Sequence, residues 1–148
     1  MSLINVDAKI GSKAMAKRLE EEQRKLIHFN QCAYVKDRSA FDGLRTNENI
    51  MHYYTALNTT PGLMIAVDFE KAFESINWTF LWKTLRSFGF GPSFIKRVQT
   101  FYCEICSCVR NNGFSSGYFK LIRERVRQGD PLSVYLFILV IEVLAIQI

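Results

Sequence analysis

The stretch from Pro131 to Ile148, PLSVYLFILVIEVLAIQI, is 18 residues long, and only Ser133, Glu142 and Gln147 interrupt its apolar character. No other feature constrains the fold so tightly, because a segment apolar on every side must be covered all round, by lipid or by protein. A membrane span needs ~20 apolar residues, and a carboxylate near its middle is costly. The run is at the short limit and carries Glu142, so a helix over Leu132–Ile148, buried in a protein core, is the expected structure. Asp130-Pro131 suits its start, with aspartate as N-cap and proline in the first turn, where a missing N–H costs nothing. A chain of 148 residues with 49% hydrophobic and 22% charged side chains can supply the core to bury it.

The remaining elements follow from periodicity and punctuation. From Asp7 to Ile27 the apolar positions Ile10, Met15, Leu19 and Leu26 stand among many charges, and Glu20 and Glu21 precede Arg24 and Lys25 by four positions. That pattern predicts a helix with one solvated face. Asp42 is placed to cap a second helix reaching about Leu57, which NTTPG then breaks. Leu63–Phe69 reads as a buried strand. A helix is expected from a cap at Asn77 to Ser87, ending at Gly89, and another over Ser93–Phe101. Cys106–Arg110 and Tyr118–Val126 flank NNGFSSG as a hairpin. The order α-α-β-α-α-β-β-α predicts an α+β domain, with helices packed on a small, mainly antiparallel sheet. The sequence stops inside or just after its most apolar helix, an awkward end for a self-sufficient fold.

Composition narrows the function classes modestly. The 19 Lys+Arg against 14 Asp+Glu leave a net charge of +5, compatible with a polyanionic partner but common in ordinary domains. MSLINVDAKIGSK lacks the apolar core of a secretory signal, so an intracellular protein, nuclear or cytoplasmic, is expected, with reduced cysteines. Cys103, Cys106 and Cys108 invite a zinc reading, but no second paired cluster completes a ligand set, and the same segment alternates like a strand entering a turn.

Three segments carry chemistry-bearing residues. Asp68 ends the apolar run of Leu63–Phe69, and a buried carboxylate there needs a cation or hydrogen-bond donors. A hard divalent ion such as Mg2+ would satisfy it with oxygen ligands; a cap on the following turn would satisfy it equally. In VRQGDPLS, Gly129 permits close backbone approach, Gln128 offers a donor and an acceptor, and Arg127 adds charge beside a helix start that favours phosphate. The bland alternative is a well-capped helix after a basic turn. In QCAYVKDRSAFD, Lys36 and Arg38 flank an exposed loop that would grip a triphosphate or simply be solvated.

In order, NVDAKIGSKAMAKRL, QCAYVKDRSAFDGLR, LMIAVDFEKAFESINW, FGFG, NNGFSS and VRQGDPLSVYLF closely resemble the reverse transcriptases of non-LTR (LINE-type) retrotransposons, over nearly the whole chain. The resemblance implies a right-hand polymerase, with fingers over about 1–60 and part of the palm over about 61–148. It also implies an RNA template, a DNA primer and dNTPs as partners, and no membrane. Asp68 matches the family's first catalytic aspartate, a ligand of two Mg2+ ions, with the Phe69 carbonyl as a further ligand. Phe73 matches the bulky position that crowds the sugar 2′ position and favours deoxynucleotides. Gln128 and Gly129 match the motif that shapes the pocket around the incoming nucleotide, with Arg127 beside them, and Arg38 matches the fingers arginine that grips the triphosphate.

The departures are specific. Asp37 stands where the family usually has Gly, Arg125 also replaces a Gly, Val134 replaces a Pro, and Glu74 takes an Asp position. The family's Tyr/Phe-x-Asp-Asp element, the second source of metal-binding carboxylates, does not occur in these residues. MSLINVD resembles the family's ISLLNVD, which makes Met1 an internal position of a longer pattern. The expected function is therefore a truncated fragment of an RNA-directed DNA polymerase, catalytically incomplete as an isolated chain. The alternatives are a non-catalytic nucleic-acid-binding remnant and an unstable retroelement gene fragment.

Overall fold

The computed structural model describes residues 4–57, 63–121, 126–127 and 129–147. Its elements, in order, are α1 (Val6–Leu26), α2 (Ala40–Leu57), a single 3-10 turn (Ala72–Ser75), α3 (Trp78–Ser87), α4 (Pro92–Tyr102), four short strands and α5 (Pro131–Gln147). The strands are β1 (Cys106–Ser107), β2 (Arg110–Asn111), β3 (Phe114–Ser115) and β4 (Phe119–Lys120). The chain is α+β, with antiparallel pairs β1–β4 and β2–β3 forming one long hairpin.

The apolar run at the C-terminus is a core helix through Glu142, while Leu144 and Ile146 of its last turn are exposed, against the expectation of burial along its whole length. α5 packs against α1 on one side and against α3 and the 3-10 turn on the other, while α4 bridges α1 and α3. Leu132, Leu136 and Leu139 of α5 have no exposed surface, and they share the core with Leu19 of α1, Leu81 and Leu85 of α3 and Val98 of α4. Two polar side chains buried by this packing find partners across it, although Gln23 Oε1 is left without one among the described residues. Glu142 accepts the His28 backbone N–H at 3.0 Å, and Gln23 donates from Nε2 to the Tyr135 carbonyl at 3.2 Å. Such partners make burial of polar groups tolerable. No helix among the described residues is long and apolar enough to cross a membrane.

Local punctuation explains most boundaries. Asn77 caps α3 by accepting the backbone N–H groups of Thr79 and Phe80. Gly89, at φ 81°, closes it, with Gly89 N–H bonded to the Arg86 carbonyl and Phe90 N–H to the Leu85 carbonyl, each at 3.0 Å. This αL closure is the Schellman arrangement. Gly11 matters for a different reason. A Cβ there would stand 2.9 Å from Cε1 of Phe101, so its absence lets α1 approach α4.

Three expectations are corrected. Asp42 is not the N-cap of α2; Ser39 is. Its Oγ accepts the Phe41 N–H at 3.2 Å, and Asp42 Oδ2 accepts the Ser39 N–H in return at 3.2 Å, a reciprocal capping box. The hairpin turns at Asn112-Gly113 alone, both residues left-handed, and its ladder is broken into two short pairs where Ser116 Oγ accepts the Val109 N–H. Residues 122–125 of the second expected strand lie outside the described residues. The largest correction concerns Leu63–Phe69, which forms no strand, with Leu63 86%, Ile65 73% and Val67 73% exposed. A strand satisfies its backbone only through a neighbouring strand, and none of the described segments pairs with this one.

Candidate active site

The turn that follows Asp68 is built from three phenylalanines. Lys71 adopts a left-handed backbone (φ 52°), which folds the chain out of the preceding segment into the 3-10 turn, and Ser75 Oγ closes that turn by donating to the carbonyls of Glu70 and Lys71. This geometry sets Phe69 and Phe73 on the same side. Both rings then pack on Phe137 of α5: Phe69 edge-on at 6.2 Å between centroids, Phe73 tilted at 5.3 Å. Edge-to-face pairs at such separations are favourable beyond the area they bury. Residues 68–75 and the helix that starts at Pro131 are thus joined by aromatic contact across some sixty intervening positions of sequence. Asp68 itself is exposed.

The start of α5 rests on a buried polar cluster. Asp130 is 3% exposed, and its Oδ1 accepts the Leu132 N–H at 3.0 Å, the N-cap role expected of it. Gly129 precedes it with φ 83°, a conformation that excludes most side chains. Arg127 turns inward: its Nη2 donates to the Phe101 carbonyl and lies 3.4 Å from Asp130 Oδ2, while the guanidinium stacks 5.3 Å over the Tyr102 ring. Ser133 Oγ donates to the Arg127 carbonyl and meets the Tyr102 hydroxyl at 3.4 Å. Burial, and then the Asp130 charge, push the Tyr102 hydroxyl well above the ordinary tyrosine range. The cluster makes the turn before α5 a fixed structure anchored on the C-terminus of α4.

Arg38 is likewise committed. Its Nη1 donates to the carbonyls of His28 (2.5 Å) and Gln31 (2.9 Å), and its Nη2 to that of Ile27 (2.9 Å). The guanidinium therefore ties the loop after α1 to the open end of that helix. Asp37, beside it, is left-handed (φ 61°) and pairs with Arg24 at 2.7 Å. Of the residues that the sequence singles out, Phe69 and Phe73 meet on α5, and Arg127 and Gly129 sit together at its start. Arg38 belongs to a separate loop, and Gln128 lies outside the described residues. Phe137, Tyr102 and Asp130 organise the site, and of these only Asp130 carries a distinctive sequence signal, as a helix cap. The only signal for Phe137 was an aromatic within a run that was already apolar throughout.

Among the described residues, Asp68 stands without a further pair of carboxylate, histidine or cysteine side chains beside it. No group of three or more His, Cys, Asp or Glu among the described residues is arranged to hold a metal. Asp68 and the Phe69 carbonyl are two oxygen donors, and a Mg2+ ion held there would take its remaining oxygens from water and substrate phosphate.

With this geometry in view, the comparisons are informative. The family described as reverse transcriptase (RNA-dependent DNA polymerase) matches residues 1–148. The chain is 34% identical over 143 residues to the transposon TX1 uncharacterized 149 kDa protein of Xenopus laevis, covering 96% of this chain and 11% of that one. It is 38% identical over 76 residues to the retrovirus-related Pol polyprotein from type-2 retrotransposable element R2DM of Drosophila melanogaster, covering 51% of this chain and 7% of that one. The chain spans about a tenth or less of the length of these relatives. The ordered motifs, the paired turns on α5 and a match along the full sequence converge: the chain belongs to the reverse transcriptase (RNA-dependent DNA polymerase) family.

Proposed function

We propose that these residues form the fingers (about 1–60) and part of the palm (about 61–148) of an RNA-directed DNA polymerase that copies an RNA template from a DNA primer with dNTPs. The observation that carries this reading is the convergence of the Asp68 turn and the α5 start on one helix, through Phe69, Phe73 and Phe137. Divalent metal dependence is general in the family, and Asp68 is the residue of this chain that would contribute a carboxylate to it. Gly129 and Gln128 would shape the wall of the nucleotide pocket. Phe73, half-buried on Phe137, would set the height of that wall beside the sugar. Arg38 and Arg127 would act by holding the two framing loops, since their guanidinium groups already serve backbone carbonyls.

The same reading makes the 148 residues alone catalytically incomplete, because they offer one of the carboxylates that a two-metal transfer requires. Primer extension on an RNA template with Mg2+ and dNTPs tests it. The expected incorporation by the isolated chain equals that of an Asp68→Ala variant purified in parallel. Incorporation clearly above that control would overturn the claim of incompleteness and place the chemistry within these residues.

A further inference from the structure

A groove of about 340 Å3 follows the line where α1 meets α4. Ala14, Met15 and Arg18 line it from α1, and Arg97, Thr100 and Phe101 from α4. Its floor is apolar, because Met15 and the partly buried Phe101 ring belong to the core beneath it. Arg18 and Arg97 are the charged side chains on it, one from each helix. Both are exposed, and neither forms an ion pair among the described residues. Among those residues no carboxylate lines the groove. Two guanidinium groups brought to one groove by packed helices repel each other, and an anion set between them turns that cost into attraction.

The walls select the class of partner. A guanidinium pairs with a carboxylate through two parallel hydrogen bonds, and an apolar floor between two such groups accepts an aliphatic side chain. A nucleic-acid strand would leave this floor unused. Its bases need an aromatic face to stack on, and the one aromatic ring here has its edge packed against Gly11. Both walls are helices whose backbone groups are bonded internally, so an extended peptide would find no main-chain partners, whereas a helix brings its own.

We propose that the α1–α4 groove docks an acidic amphipathic helix of another protein, with an aliphatic side chain on Met15 and Phe101 and carboxylates on Arg18 and Arg97. The inference does not rest on the polymerase reading, and none of the residues assigned there lines the groove. The test is fluorescence anisotropy with a labelled peptide of about 16 residues, long enough to form a helix, built from Leu, Ala and Glu with leucines at helical spacing. A peptide with Lys for every Glu, a scrambled Glu peptide and a labelled single strand of DNA are measured in parallel. The Glu peptide should bind about tenfold tighter than the Lys and scrambled peptides. Arg18→Ala/Arg97→Ala should weaken it about tenfold, two exposed ion pairs being lost together. Arg18→Glu/Arg97→Glu should transfer the preference to the Lys peptide. Lys83→Ala/Arg86→Ala, which removes the same charge from exposed positions of α3, should leave binding unchanged.

A parent chain that does not bind the Glu peptide overturns the proposal, as does binding that survives loss of both groove arginines. An equal loss from the α3 pair, or equal binding of the scrambled peptide, overturns it too, since net charge alone would then suffice. An arginine variant that loses the DNA strand and keeps the peptide gives the groove to nucleic acid and overturns the protein partner. A concentration-dependent mass in light scattering, abolished by the same variant, gives it instead to a second copy of this chain.

Discussion

Leu63–Phe69 and α5 are both apolar runs, and they meet opposite fates. α5 pairs its own backbone through the helix and asks its neighbours only for side-chain contact, which α1 and α3 provide from within the same chain. Leu63–Phe69 asks for more. Its backbone needs a neighbouring strand before its side chains can be layered, and no described segment is placed to give one. Hydrophobicity alone therefore does not decide burial; the hydrogen-bonding demand of the element decides which partner it must have first. Asp68, proposed above as the residue that contributes a carboxylate to a metal, stands at the end of the run that has no strand partner among the described residues.

The widest test of this contrast is a matched pair of truncations. Leu139→Ala, at a position with no exposed surface, should lower unfolding free energy by about 2–5 kcal/mol in urea denaturation. Ile65→Ala should change it by no more than about 0.5 kcal/mol. A comparable loss at both sites would mean that Leu63–Phe69 is covered in solution.

Next in size is the polar cluster that fixes the start of α5. Because the Tyr102 hydroxyl is raised above its unfolded value of about 10, the stability it contributes is complete below that pH and declines as pH rises above it. Tyr102→Phe should flatten this alkaline decline while costing about 1 kcal/mol at neutral pH. Urea midpoints across the alkaline range would show it, with a residual slope from Tyr135, whose hydroxyl is raised by partial burial and by Glu20. An unchanged decline in the variant would remove Tyr102 from the account.

The smallest effect belongs to α2, which packs against no other element among the described residues. Ser39→Ala removes a cap worth about 1 kcal/mol to that helix. Since no other element among the described residues packs on α2, the loss should appear as faster amide exchange in its first turn, with little movement of the global melt. A global shift of equal size would show that α2 is docked.

How much of this was legible in the sequence depends on the range of the interaction. Asn77, Gly89, Asp130 and the Asn112-Gly113 turn act within a few residues, and their roles can be read directly. The α+β class followed from the order of such elements. The correction at Asp42 is also local: Ser39 and Asp42 cap reciprocally, and an aspartate at the third helical position carries the same signal as one at the cap. What could not be read was long-range. Arg38 and Arg127 look like free cations in a basic loop, but both guanidinium groups turn to backbone carbonyls several to many residues away. Burial of Leu63–Phe69 was inferred from composition, which records an appetite for contact and not the availability of a neighbour. Likewise Tyr34 is unremarkable in QCAYVKD, because a left-handed tyrosine has no sequence signature.

Phe137 has a consequence for how such a chain can change over time. Both rings beside Asp68 lean on this one side chain, while Pro131 and Asp130 fix where its helix begins. The position of the aspartate's turn is thus set by an angular phase counted along α5. Inserting or deleting a single residue between Pro131 and Phe137 would swing the ring by about 100° around the helix and withdraw the support from both phenylalanines together. Substitutions that keep the ring's bulk would leave the phase intact. Divergence across this stretch is therefore expected to proceed by replacement at constant length, with changes in length confined to the hairpin before it.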